Sequence, residues 1–160
     1  MAIELLHPAF VHFPVSLCAV GAGFLLYGRV RGREEAWRCG LASLLVGSAL
    51  SVPAYLTGQV ARAVMEDSER FLRAEAAADL HEDLGLLSLG AFVALGILSG
   101  LELAKKRTAR SGPWVLPLLA MAAARLVAPT AYQGARLVFE FGLLNLGFLS
   151  KQADPKPGTK

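Results

Sequence analysis

The sequence predicts an all-α protein: a four-helix transmembrane bundle followed by an interfacial amphipathic helix near the C-terminus. Hydrophobic residues make up 54% of the 160 residues and charged residues only 18%, which is more apolar than an ordinary soluble domain. The hydrophobic residues are concentrated in four runs, each long enough at about 1.5 Å per residue to cross a hydrocarbon core of roughly 30 Å. Membrane lipid is therefore the predicted surrounding of most of the chain.

The four runs are bounded by short charged or proline-containing segments. The first run follows Glu4 with no basic residue before it and no cleavage site after it, so we expect a retained membrane anchor and not a secretory signal. Small residues recur at four-residue steps in the second and third runs, a pattern typical of close helix packing in lipid. The predicted spans are residues 8–27, 36–57, 84–103 and 114–132.

The region after the fourth run has a different pattern. Leu137, Phe141, Leu144 and Phe148 recur at spacings of four, three and four, which predicts an amphipathic helix over residues 137–149 at the membrane interface. The last ten residues contain two prolines and few apolar side chains. We therefore expect one domain over residues 1–150 and a disordered tail over 151–160.

Cysteine and aromatic residues suggest only structural roles. Cys18 and Cys39 fall in or near apolar runs and are predicted to be buried free thiols. Aromatic residues near the run ends are expected to form interfacial belts: Tyr27, Trp37, Tyr55 and Trp114.

Basic residues predict the orientation in the membrane. They concentrate between the first and second runs and between the third and fourth, so these loops are expected in the cytoplasm. The loop between the second and third runs mixes both charges, and the first residues carry no basic side chain. We therefore expect a multi-pass protein of the bacterial inner membrane with both termini in the periplasm. The net charge of +3 is not gathered on one face, so nucleic acid is not an expected partner.

The three histidines, His7, His12 and His81, all fall at the predicted periplasmic side. Imidazoles from two helices can bind a haem iron from opposite faces. His7 and His12 are five residues apart and point about 140° away from each other on a helix, so they are not expected to bind one metal together. We expect His12 and His81 as the axial ligands and His7 as an alternative ligand or a neighbouring hydrogen-bonding group.

Two other interpretations of the histidines stay open. Histidines at the membrane surface can lie at the level of the lipid headgroups without any cofactor. A zinc site including Glu82 or Asp83 is less well supported, because histidine pairs at three- or four-residue spacing are missing.

Arg125 lies inside the fourth apolar run. A charge within a membrane span is costly, which favours a functional role. We expect it to contact a haem propionate or a quinone carbonyl. The alternative is that it reaches to the interface or pairs with Glu140.

The segment from His7 to Pro14 resembles the signature of a bacterial membrane family known as domain of unknown function 2231. The resemblance covers about residues 5–147 and includes Gly58, His81 and the segment 134–142, which is similar to a Gly-Gly-x-Leu-Val-Tyr-x-His-Gly pattern. Phe141 stands where that pattern has its histidine, and Ala135 where it has its second glycine. The resemblance implies a histidine-rich, cytochrome b-like membrane subunit that accompanies redox proteins. Three histidines leave at most one bis-histidine haem.

We therefore expect a membrane subunit that binds one haem b near the periplasmic face. It would transfer electrons between a periplasmic cytochrome or iron-sulfur protein and quinone or another subunit of a redox complex, with no bond chemistry of its own. The alternative is a cofactor-free structural subunit that anchors a larger complex. A transporter is less well supported, because no inverted repeat is found. Motifs for nucleotide binding or covalent haem attachment are missing as well.

Overall fold

A computed structural model of the chain describes residues 6–105 and 107–143. Four helices account for most of these residues: α1 (Leu6–Arg31), α2 (Glu34–Met65), α3 (Glu69–Ala104) and α4 (Val115–Phe139). Each helix contains a window long and apolar enough to cross a membrane. The predicted all-α four-helix membrane bundle is confirmed.

The helices alternate in direction and pack in a ring. Each helix contacts the next along the chain, and α4 closes the ring against α1. Helices α1 and α3 are therefore diagonal to each other across the bundle. We call the end where α1 and α3 begin the histidine end, and the end where α2 and α4 begin the tryptophan end.

Glycines allow α1 and α2 to approach most closely. A methyl group added to Gly40 would lie 2.8 Å from the backbone nitrogen of Leu25, and one added to Gly21 would lie 3.2 Å from the carbonyl oxygen of Gly40. Gly32 closes the short connection between these helices with a φ of +63°, a conformation that glycine adopts without strain. The first helix pair is therefore held together by backbone-to-backbone packing.

Large apolar side chains face outward along all four helices. Phe13, Val30, Leu87, Ile97 and Leu118 are each more than half exposed. A soluble protein rarely exposes such a continuous apolar surface, whereas a lipid bilayer solvates it. The interior is small by comparison and is built around Leu25, Trp37, Leu41, Phe92 and Leu116.

At the histidine end, the helices extend beyond the apolar runs. Helix α2 continues to Met65, and α3 begins at Glu69, where the hydroxyl of Ser68 caps it by accepting a hydrogen bond from the Phe71 amide. Helix α4 continues to Phe139. The extensions share a second core cluster: Ala61, Met65, Phe71, Ala74, Ala78 and Leu143.

The C-terminal segment differs from the predicted boundaries. Residues 137–139 belong to α4, and the chain turns at Gly142, whose φ is +65°. The remainder of the predicted interfacial helix, residues 144–149, and the predicted disordered tail lie outside the described residues.

Two predictions about single residues are wrong. Cys39 is exposed, although Cys18 is buried as expected. Trp37 is completely buried and does not belong to an interfacial belt. Its ring lies against Gly112 in the segment before α4 and belongs to the main core cluster.

Candidate functional site between diagonal helices

His7 and His81 meet inside the histidine end of the bundle. They project from α1 and α3, the diagonal pair, and their ring centroids lie 6.3 Å apart with the ring planes at 82°. Both side chains are half-buried. The fold therefore brings together two imidazoles that are separated by 74 positions in the chain.

Each imidazole is oriented by a hydrogen bond to a neighbouring helix. Nδ1 of His7 lies 2.8 Å from the carbonyl oxygen of Ala54 in α2, and Nδ1 of His81 lies 2.9 Å from the carbonyl oxygen of Thr130 in α4. A carbonyl oxygen can only accept, so Nδ1 carries the hydrogen in both rings. The Nε2 lone pair of each neutral ring therefore remains available, as in histidines that bind metals.

A glycine makes each of these hydrogen bonds possible. A side chain on a helix leans toward the preceding turn and covers the carbonyl four residues earlier. Gly58 and Gly134 occupy that covering position for Ala54 and Thr130. A methyl group at Gly58 would lie 2.9 Å from Cε1 of His7, and one at Gly134 would lie 3.0 Å from Cε1 of His81. The missing side chains leave room for the rings.

We call the backbone carbonyl and the glycine that receive each histidine ring a seat. The two seats share one local sequence pattern. The segment from Pro53 to Gly58 and the segment from Pro129 to Gly134 share a proline and a glycine at the same spacing, and the accepting carbonyl follows the proline in both. In both the α1–α2 hairpin and the α3–α4 hairpin, the histidine of the first helix thus donates a hydrogen bond to the second helix. Sequence reasoning missed this parallel repeat, although the shared Pro-x-x-x-x-Gly spacing was a signal that could have revealed it.

Charged and polar side chains bridge α2 and α3 next to the histidine pair. The Gln59 amide donates to Glu82 at 3.2 Å, and Arg62 contacts Asp79 at 2.6 Å and Glu82 at 2.7 Å. Gln59 and Glu82 directly follow Gly58 and His81 in the chain. This polar network holds α2 and α3 together at the level of the site.

Small residues follow His81 along α3. Gly85 lies one turn after His81 and seven residues before the buried Phe92, so it shares the inward face of α3. A methyl group placed on Gly85 would meet no other atom within 4 Å. On the same helix, Ser88 shares a 3.3 Å hydrogen bond with the Thr130 hydroxyl.

The two other candidate residues lie outside the histidine pair. His12 and Arg125 are both exposed, on α1 and α4. The ring contact of His81 is with His7, so His7 holds the position that the sequence analysis expected for His12. The expected alternative partner of Arg125, Glu140, instead forms an ion pair with Arg136 at 2.7 Å. Phe141 packs against the second core cluster.

The two imidazoles form an edge-to-face ring contact. A centroid separation of 6.3 Å with the planes at 82° is in the usual range for such pairs of rings. In the described part of the chain, no three His, Cys, Asp or Glu side chains form a group that could hold a metal.

Comparison with known proteins identifies a family and nothing narrower. Residues 4–147 match the model of the family described as "Predicted membrane protein (DUF2231)". Neither curated proteins nor solved structures gave a match. Because the family model covers most of the chain, the protein belongs to this membrane protein family.

Proposed function

We propose that the protein is an electron-transfer subunit of the membrane that holds one haem b between His7 and His81. The main support is the pair of half-buried imidazoles on diagonal helices, with Nδ1 of each ring donating to a backbone carbonyl. Four-helix bundles commonly build cofactor sites from side chains on facing helices. His7 replaces His12 in this proposal, because His12 lies on the exposed surface.

The residues of the chain have separate roles in this proposal. The two imidazoles would hold the haem through Nε2, and the carbonyls of Ala54 and Thr130 would orient the rings and increase their basicity. Gly58 and Gly134 keep the seats open, and the space beside Gly85 would receive part of the bound group. The bound haem would supply the single-electron chemistry.

We further propose that the histidine end faces the periplasm and that the tryptophan end lies in the cytoplasm of a bacterial inner membrane. Basic side chains support this orientation, because Arg31, Arg33, Arg107 and Arg110 all lie at the tryptophan end. The electron partner on the periplasmic side would be a cytochrome or an iron-sulfur protein. Quinone or another subunit of a redox complex would be the partner within the membrane.

The proposal is tested by the reduced-minus-oxidised absorption spectrum of protein purified in detergent after expression with a supply of haem. We expect the band of a b-type haem in the unchanged protein and its loss in His7→Ala and in His81→Ala. His12→Ala is the matched control and should keep the band. A folded but colourless protein would overturn the proposal and favour the cofactor-free structural subunit. Retention of the band in both ligand variants would overturn the assignment of the ligands.

A further inference from the structure

The membrane-facing surface between α1 and α4 carries two polar side chains, His12 and Arg125. We propose that they bind the headgroup of a quinone that enters from the lipid. This inference rests on the proposed electron-transfer function, for which it names the membrane-soluble partner and the place where that partner binds.

The two side chains lie at nearly the same depth. Helices α1 and α4 are antiparallel and meet where the Cys18 sulfur lies 3.8 Å from the carbonyl oxygen of Ala120. His12 precedes Cys18 by six residues, and Arg125 follows Ala120 by five. At 1.5 Å per residue, they are displaced toward the histidine end by about 9 Å and about 7.5 Å. Their difference in depth is therefore small compared with the length of either side chain.

The two side chains also lie on the same side of the helix pair. At about 100° per residue, His12 is turned by about 120° from Cys18, and Arg125 by about 140° from Ala120. Because the helices run in opposite directions, both rotations lead away from α2 and α3 and toward the membrane. The exposure of both residues agrees with this placement.

A bound polar group would stabilise this arrangement. In the described part of the chain, neither His12 nor Arg125 has a hydrogen-bond or ion-pair partner. A guanidinium that faces hydrocarbon without a partner is costly. A quinone ring offers two carbonyl acceptors on opposite edges, one for a guanidinium and one for an imidazole. Ala124 and Ala128, on the intervening surface of α4, are small enough to leave room for the ring.

The depth of the pair favours a quinone over the phosphate of a lipid. His12 lies five residues beyond His7, which places it about 7.5 Å deeper in the membrane than the histidine pair. Lipid phosphates stay at the level of the headgroups, whereas quinones dissolve in the hydrocarbon. His12, in the proposed quinone surface, is thus only five residues along α1 from His7, a proposed haem ligand.

The experiment is a titration of the purified protein with decylubiquinone in nanodiscs of neutral lipid. We expect saturable binding that weakens at least tenfold in His12→Ala and in Arg125→Gln. Leu87→Ala is the matched control, because Leu87 is 58% exposed on α3 at a similar depth. Its binding should equal that of the unchanged protein.

Two results would overturn the inference. One is equal decylubiquinone binding by the unchanged protein, His12→Ala and Arg125→Gln. The other is measured in nanodiscs that contain the anionic lipid phosphatidylglycerol. If the variants lose retention of this lipid but keep decylubiquinone binding, Arg125 binds a lipid phosphate instead. Binding of the probe needs no iron, so His7→Ala should keep it. A colourless protein that still binds decylubiquinone would therefore contradict the haem proposal and leave the quinone surface intact.

Discussion

The two ends of the bundle are packed around different side chains. At the tryptophan end, Trp37 is completely buried, and glycines at positions 28 and 112 lie against its backbone and its ring. At the histidine end, the glycines at positions 58 and 134 lie against imidazoles instead. Glycine thus removes a side chain at both ends, but the space is filled by an apolar ring at one end and by a polar ring at the other.

The energetic consequences of the two arrangements differ. A buried tryptophan stabilises the fold through apolar contact, and its surroundings are rigid. A histidine seated on a carbonyl contributes one modest hydrogen bond and keeps a ring nitrogen available for a ligand. The tryptophan end is therefore expected to contribute more to stability than the histidine end, where the proposed haem site lies.

The largest expected effect comes from removing the tryptophan. Trp37→Ala should lower the free energy of unfolding by about 3–5 kcal/mol, because a cavity replaces a fully buried ring. Unfolding by sodium dodecyl sulfate, followed by circular dichroism, measures this loss. Trp114→Ala is the control, since Trp114 is 47% exposed, and its effect should be much smaller. Similar losses for both variants would contradict the proposed role of Trp37.

A methyl group at Gly28 should have the next largest effect. It would lie 2.6 Å from the backbone nitrogen of Trp37, so the helices must separate. We expect Gly28→Ala to lower the free energy of unfolding by about 1–3 kcal/mol, the usual range for overpacking. Gly23→Ala, whose added methyl meets nothing within 4 Å, should not destabilise the protein in the same unfolding assay.

A methyl group at the histidine end should change binding more than stability. In Gly58→Ala the added atom meets the movable ring of His7 rather than backbone, so the ring is displaced from Ala54. The free energy of unfolding should fall by about 1 kcal/mol, the value of one hydrogen bond. The haem band should weaken strongly. Gly90→Ala, in open space on α3, should change neither quantity, and an unchanged band in Gly58→Ala would contradict the proposed seat.

The smallest effect is expected from the polar network beside the site. Arg62→Gln removes the contacts to Asp79 and Glu82, both partly exposed, and should cost less than about 1 kcal/mol. The loss should shrink further in high salt, because salt screens exposed ion pairs. Arg73→Gln is the control in the same unfolding assay, since Arg73 is exposed and has no partner among the described residues. A loss that does not depend on salt would contradict the electrostatic explanation.

Hydrophobicity predicted the number of helices well and their ends poorly. The third span was predicted to start at residue 84, but α3 begins at Glu69. The residues between are too charged for lipid, yet they form a regular helix with small apolar side chains on one face. The length of an apolar run predicts only the part of a helix that crosses the membrane, so it does not show where the helix continues outside. The burial of Trp37 was missed for a related reason, because position near a span end does not show whether a ring faces lipid or the interior.

The candidate site was predicted in part. The gathering of histidines at one end followed from their positions on antiparallel spans, and the structure places His7 and His81 together. The rotation of α1 about its axis decides whether His7 or His12 faces the bundle interior. The prediction of His12 instead used its greater depth in the membrane span. To predict the carbonyls that bind the histidines, one has to compare the proline and glycine spacing in α2 with that in α4. Neither span shows the pattern when considered alone.

The connection between α1 and α2 consists of Gly32 and Arg33 alone. A stretch this short spans only about 7 Å, so the start of the second helix cannot move away from the end of the first. The α2–α3 connection, residues 66–68, is nearly as short, whereas ten residues, 105–114, connect α3 to α4. The loops thus restrain the first three helices more tightly than they restrain α4, the helix whose backbone carbonyl accepts the hydrogen bond of His81.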